Sequence, residues 1–219
     1  VFTGIEISSW GRDLHDGSSL IDLVEAVAAA APRLRLRLGS LEPRTVTEDF
    51  CRRASQLPNL CPHFHLSLQS GCDATLRRMN RRYDTARFRE SVRLLRAYFP
   101  RPAITTDVIC GFPQETEEEF SATLAFLEEC RFAAMHVFPY SRRAGTRADR
   151  MPDQVPEPVK KERSAVLLKL EKKMSGEYRN SFLGTEQEIL LEEPVTIDGE
   201  SYMTGYTKEY VKAAVRLDG

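Results

Sequence analysis

Apolar residues recur at two periods along this chain, and the alternation between the periods sets the expected architecture. In residues 63–69, Phe64, Leu66 and Leu68 fall on one side while His63, His65, Ser67 and Gln69 fall on the other. That is the period-two pattern of a strand with one buried face. Residues 1–7, 34–38, 103–110 and 134–138 have the same strand-like character, with leucine alternating with arginine through 34–38. Between these runs the period lengthens to that of a helix. Ser19 with Asp22 forms a capping box ahead of Leu20, Val24 and Val27, and Pro32 is the stop. Residues 47–57 and 85–98 are also helical in pattern, and Thr116 with Glu119 caps a segment that aligns Phe120, Leu124 and Leu127. Five β units separated by helices predict an α/β fold. Its parallel strands curl toward a barrel, with chemistry in the loops after the strands' C-terminal ends.

The pattern changes after Phe138. Residues 139–158 are rich in Arg and Pro and aperiodic, as a long surface loop is, and a charged helix is predicted over 156–182 with Gly184 as its stop. Strand-like segments follow at 187–192, 202–204 and 210–217, with Asp198-Gly199 as a turn pair. The chain therefore divides into a barrel over 1–155, a connecting helix over 156–183 and the start of a small β-rich domain over 184–219. That last unit has too few strands to close a barrel unless more chain follows.

Composition narrows the function classes. With 219 residues, 29% charged and a net charge of -1, the chain is long enough for a sizeable core. It is also too nearly neutral to be a wholly basic nucleic-acid binder, so any RNA contact must come from local patches. No apolar run is long enough to span a bilayer, and the first residues have no basic leader, so the expected location is cytoplasmic without a membrane partner. Five scattered cysteines with no CxxC pair argue against a disulfide framework or a paired-thiol zinc site. Cys61, His63 and His65 alternate like metal ligands, but no fourth ligand is evident and no metal site is expected.

The candidate chemistry sits at the predicted strand ends, and there the order of motifs is specific. Thr3-Gly4-Ile5 and Ser9-Trp10-Gly11-Arg12-Asp13 come first, then the run from Arg37 through Gly39-Ser40-Leu41-Glu42 to Pro43. Next come His65 through Gln69-Ser70-Gly71-Cys72 to Asp73 and Met79-Asn80-Arg81-Arg82-Tyr83. Thr106-Asp107-Val108, Gly111-Phe112-Pro113, Glu115-Thr116-Glu117, His136 through Tyr140-Ser141, Gly145-Thr146 and Met151-Pro152 complete the set. Together they resemble the radical S-adenosylmethionine (SAM) tRNA methylthiotransferase family over nearly the whole chain. The tail, Gly205-Tyr206-Thr207 with Tyr210-Val211, resembles that family's RNA-binding TRAM domain.

Among the branches, the segments around Trp10, Ser40 and Gln69 look most like the one acting on threonylcarbamoyladenosine in tRNA. The isopentenyladenosine and ribosomal-protein aspartate branches are alternatives, as is an inert RNA-binding module. An aldolase-like barrel enzyme lacks support, because the barrel half is nearly free of lysine. The family's CxxxCxxC loop and three further cysteines are not in this sequence. The resemblance therefore implies a fragment that starts at the second barrel strand and is inactive alone.

In the intact enzyme the resemblance implies SAM, two 4Fe-4S clusters ligated by none of these residues, tRNA as partner, and an electron donor such as a flavodoxin-type reductant. A 5′-deoxyadenosyl radical then abstracts hydrogen from C2 of the target adenine. Carried onto this sequence, Thr3 and Gly4 face the methionine end of SAM, while Ser40 and Glu42 meet its ribose or amino group. Gln69 and Ser70 sit at a strand tip, and Arg81 reaches the SAM carboxylate or, like Arg82, an RNA phosphate. Asp107, a carboxylate inside an apolar strand, needs a partner or ligand to offset its burial. Gly111 and Phe112 approach the adenine, with His136 and Tyr140 lining the adenosine pocket. Arg142, Tyr206 and Tyr210 are candidates for RNA contact, with basic clusters at Arg77, Arg78, Arg81, Arg82 and Arg87 and at Arg142, Arg143, Arg147 and Arg150.

Overall fold

The computed structural model describes residues 1–216, and its first half realises the alternation. In chain order it holds α1 (Leu20–Ala30), β1 (Ser40–Leu41), α2 (Glu48–Ala54), β2 (His63–Leu66), α3 (Asp73–Arg78), α4 (Thr85–Tyr98), β3 (Ala103–Cys110), α5 (Glu117–Cys130) and β4 (Ala134–Pro139). The four strands form one parallel sheet in the order β1-β2-β3-β4, the order of a sheet wound in one direction by βα units. Helix starts follow the caps. Asp22 accepts hydrogen bonds from the Ser19 backbone N–H and hydroxyl at 2.7 Å. Thr116 accepts from the Glu119 N–H at 3.2 Å, and Asp84 accepts from the Arg87 N–H at 2.8 Å. Val24, Phe50, Phe64, Leu66, Phe88, Leu95, Ile104 and Leu127 pack together between helices and sheet. One face of the sheet is thereby sealed with apolar contacts.

Register explains the other face. His65 pairs with Thr105, Thr105 with Ala134, and Asp107 with His136, so these residues form rows on the side opposite Phe64 and Ile104.

Two predicted strands fail. Residues 1–7 contribute only Phe2, whose N–H donates to Arg37 and whose carbonyl accepts from Gly39, each at 2.8 Å, before a 3-10 turn at Ile7–Ser9. Residues 34–38 make isolated bridges from Leu36 to Leu60 and from Leu38 to Phe2, and the continuous ladder begins only at Ser40. Leu36 and Leu38 are buried as the alternation requires, but single bridges do not make a ladder. β2 ends three residues before Gln69, which has φ 72; Gln69 rejoins the sheet by donating to the Asp107 carbonyl and accepting from the Ile109 N–H at 2.9 Å.

α6 (Glu157–Asn180) lies against β4 and α5, burying Leu167, Leu170 and Met174. Three antiparallel strands follow, β5 (Leu190–Ile197), β6 (Glu200–Tyr206) and β7 (Lys212–Arg216), longer at β5 and β6 than the pattern predicted. Asp198 and Gly199, both with positive φ, make the predicted two-residue hairpin. Tyr210, at φ 65, delays the third strand to Lys212, and the predicted end at Leu217 lies outside the described residues. The tail sheet sits at the N-terminal ends of the barrel strands. Arg35 donates to the Tyr206 carbonyl at 2.9 Å and to Glu188 at 2.8 Å, and the Arg37 guanidinium lies 4.2 Å from the centre of the Tyr210 ring. Among the described residues no helix is long and apolar enough to cross a membrane.

Candidate active site

The open face of the sheet carries a polar wall. His65 is held at both ring nitrogens, with Nδ1 3.0 Å from Thr105 Oγ1 and Nε2 3.4 Å from Asp107 Oδ2. The His65 contact is the main influence holding the Asp107 carboxyl below its usual range; burial opposes it, and the positive potential of His136 and Arg81 adds to it. Ser40 and Ser67 place their hydroxyls 2.8 Å apart on the same side. His136 lies 6.1 Å, ring to ring, from His65 and 6.5 Å from Phe138. A carboxylate, two imidazoles and three hydroxyls thus share a wall along the middle of the sheet, and Ser40, His65, Thr105 and His136 of it border a cavity of about 470 Å³. Such a wall can receive a zwitterionic, hydroxyl-bearing ligand with an aromatic face.

His63 stands lower on the same face. Burial, with Arg37 and His65 nearby, lowers its imidazole to about 4, and its Nδ1 has no partner. Its ring tilts against Tyr210 at 5.1 Å rather than joining the His65 network.

Other expected site residues lie elsewhere. Thr3 and Gly4 line a separate cavity of about 730 Å³ with Trp10, Leu20 and Leu23. A Cβ on Gly4 would sit 3.4 Å from Ile7, an ordinary contact, so space does not demand glycine there. The Glu42 N–H donates to the Ser8 hydroxyl at 2.9 Å. Ser70 is fully buried and turned toward α5, with its hydroxyl 3.3 Å from that of Thr123, so it does not point into the mouth. Gly111, at φ 71, gives its N–H to the Glu115 carboxylate at 2.5 Å, and the Lys160 side chain fills the space a Cβ would need. Phe112 packs edge-on against Tyr140 at 5.2 Å, and the buried Tyr140 hydroxyl lacks a partner. Gly111, Phe112 and Tyr140 therefore knit the end of β3 to α6.

Arg142 is tied to Asp149 by two 2.9 Å bonds within its own loop. Tyr206 and Tyr210 stack on each other at 4.3 Å with Arg37 and His63 against Tyr210, and the pair borders the same cavity as Ser40, His65, Thr105 and His136. Arg81 and Arg82 border an open basin beside the mouth. Sequence reasoning weighed His65 only as a metal ligand and passed over Ser67 and Thr105. The signal for two of them was present, because the alternation in 63–69 puts His65 and Ser67 on one face.

Three of the five cysteines, Cys51, Cys110 and Cys130, do not suit an iron–sulfur cluster. Burial pushes Cys51 and Cys130 up to about 12 and Cys110 to about 11, and thiols held protonated in a core are not ligands. Among the described residues no three His, Cys, Asp or Glu side chains gather as a metal site.

Comparisons with known proteins show the superfamily and the fold. The family model of the Radical SAM superfamily matches residues 5–127, more than half of the chain. The chain is 39% identical to the threonylcarbamoyladenosine tRNA methylthiotransferase of Thermotoga maritima, over 97% of its own length and 48% of that protein. It is 42% identical to the tRNA-2-methylthio-N(6)-dimethylallyladenosine synthase of Thermobifida fusca, over 87% of its own length and 38% of the relative. The chain thus spans about half the length, or less, of these curated relatives. In fold it is similar to coproporphyrinogen III oxidase of Escherichia coli, with a TM-score of 0.56 at 17% identity, covering 71% of this chain and 37% of that one.

Proposed function

Because the chain belongs to the radical SAM superfamily, we propose that it supplies most of the catalytic barrel of a tRNA methylthiotransferase, acting on C2 of N6-threonylcarbamoyladenosine next to the anticodon. The observation that carries this reading is the row His65, Thr105, Asp107 and His136 on the open face of a sheet whose other face is apolar. SAM, when bound there, supplies oxidising power and a methyl group. The chain's own part is orientation and exclusion of water. Asp107 offers a carboxylate to an ammonium, at an angle fixed by His65, while Ser40 and Ser67 offer hydroxyls to a ribose diol and His136 an aromatic edge to adenine. The tail fits a TRAM-like RNA-binding unit, and tRNA, a flavodoxin-type electron donor and a cytoplasmic setting belong to the same reading.

The competing substrate is dimethylallyladenosine, favoured by relatives as similar as the one at 42% identity. One assay separates the two. Full-length enzyme with reconstituted clusters, SAM and dithionite is incubated with tRNA, and the nucleosides are analysed by mass spectrometry. Methylthio-threonylcarbamoyladenosine is the expected product. The dimethylallyl product reassigns the branch, and no methylthionucleoside at all overturns the reading. Within the same assay, Asp107→Asn is expected to weaken SAM binding about tenfold, the size of one charge-assisted hydrogen bond, while melting with the parent enzyme.

A further inference from the structure

The basin beside the mouth has an uneven charge balance. It is an open concavity of about 850 Å³ lined by Arg44, Arg77, Arg81, Arg82 and Arg87, with Glu48, Asp84 and Glu90 among them. Every carboxylate there is already engaged. Asp84 caps α4 through the Arg87 N–H, Glu48 accepts from the Tyr98 hydroxyl at 3.1 Å, and Glu90 pairs with Arg93 at 2.7 Å. Arg87 is also committed, donating to the carbonyls of Pro43 and Val46 at 2.9 and 2.7 Å. Arg78, adjacent in sequence to Arg77, is locked onto Glu119. Arg44, Arg77, Arg81 and Arg82 remain exposed, and none has a side-chain hydrogen bond or ion pair among the described residues.

The basin is tied to the mouth. The buried Tyr83 at its floor donates its hydroxyl to the Ser67 carbonyl at 2.5 Å, at the end of the polar wall. Arg81 is near enough to Asp107 to help hold that carboxyl down. Four uncommitted guanidiniums exceed what the single carboxylate of SAM can use, and their separation along a concave rim suits the repeated charges of a polyanion.

We infer that Arg44, Arg77, Arg81 and Arg82 form the docking surface for backbone phosphates of the RNA strand flanking the target nucleoside. The surface holds that strand along the rim between β1 and β2 while the base enters the mouth. This rests on the tRNA-modifying reading above and assigns Arg81 to phosphate rather than to SAM. Arginine forks bind phosphate oxygens without reading sequence, so the surface positions the strand and leaves selection of the nucleoside to the mouth.

The test is binding of a synthetic anticodon stem-loop RNA to the full-length holoenzyme by fluorescence anisotropy across a salt series. The Arg77→Gln/Arg81→Gln/Arg82→Gln protein is compared with the parent, with the matching triple lysine variant, and with Arg33→Gln as an exposed control away from the basin. Each lost phosphate contact is expected to lower the slope of log affinity against log salt by about 0.7, and the triple glutamine variant to bind roughly 10- to 100-fold more weakly. Lysine is expected to restore most of the slope. Unchanged melting of the glutamine variant is expected because the side chains are exposed and unpaired. If the parent binds the RNA and the glutamine variant does so with the same slope, the docking surface is wrong and the tRNA reading stands. If the parent does not bind RNA, both fall. If RNA binding is intact but turnover is lost with a flavodoxin-type reductant and retained with dithionite, the basin receives an acidic protein and the inference is overturned.

Discussion

His63 and His65 share a strand face but have opposite surroundings. His65 is gripped by Thr105 and Asp107, whereas His63 is buried with an unpartnered Nδ1 and is driven down to about 4. A histidine whose folded value lies below its ordinary 6.5 makes the unfolded chain take up the proton first as pH falls. Stability is then full above about 6.5 and declines between there and about 4. The loss between pH 7 and pH 5 should be about 2 kcal/mol by linkage. Urea unfolding at the two pH values measures it, and His63→Phe should flatten that limb; an equal acid limb in the variant would assign the loss to other groups. Asp107 was legible in the sequence because a carboxylate inside an apolar run needs a partner. Its partner was not legible, since only parallel pairing of His65 with Thr105 brings the two strands into register. Ser70 misled for a related reason: the positive φ of Gln69 ends the alternation, and the next side chain turns to α5.

At the scale of elements, capping chemistry read true and lone strands did not. The starts of α1, α4 and α5 follow side-chain caps that are local in sequence, whereas a strand exists only with a neighbour, which residues 1–7 and 34–38 have at single bridges. α3 escaped notice because six residues with Leu76 as the main apolar anchor leave no stripe. The junction of α6 with the turn after β3 depends on a buried pair, Arg163 with Glu115 at 2.8 Å. Burial raises the Glu115 carboxyl while the Gly111 N–H and Arg163 draw it down. Arg163→Met should cost about 3–5 kcal/mol by leaving that carboxylate buried and unpaired, and adding Glu115→Gln should recover a large part of it. Thermal unfolding of the single and double variants checks both figures; a double variant no better than the single would locate the loss in packing against Phe120. In the tail, a Cβ on Gly205 would collide with the Leu190 carbonyl oxygen. Gly205→Ala should therefore break the pairing of β5 with β6, and amide exchange should quicken there while β3 stays protected.

At the scale of the whole molecule, the tail sheet docks at the N-terminal ends of the parallel strands through Arg35 and Arg37. The chain's alternating Leu and Arg at 34–38 looked like a strand, and its arginines instead became the docking residues for a sheet that begins far along the chain. No sequence pattern announces that, because the contact joins residues 171 positions apart. Arg35 makes the most bonds across the junction, one to the Tyr206 carbonyl and two to Glu188, and it is more buried than the carboxylate it meets. Removing it with Arg35→Ala leaves the Tyr206 carbonyl short of a donor, a loss of about 1.5 kcal/mol. That corresponds to roughly tenfold faster exchange for amides of β6, with β3 unaffected, if the tail opens independently of the barrel. Equal acceleration in β3 would show that sheet and tail open as one unit, and an unchanged β6 would transfer the holding role to the stack of Arg37, Tyr210 and Tyr206. Arg37→Ala separates those cases, because its ring contact orders Tyr210 over the buried His63. Loosening that stack should let water reach Nδ1 and shift the acid limb of stability toward ordinary histidine behaviour.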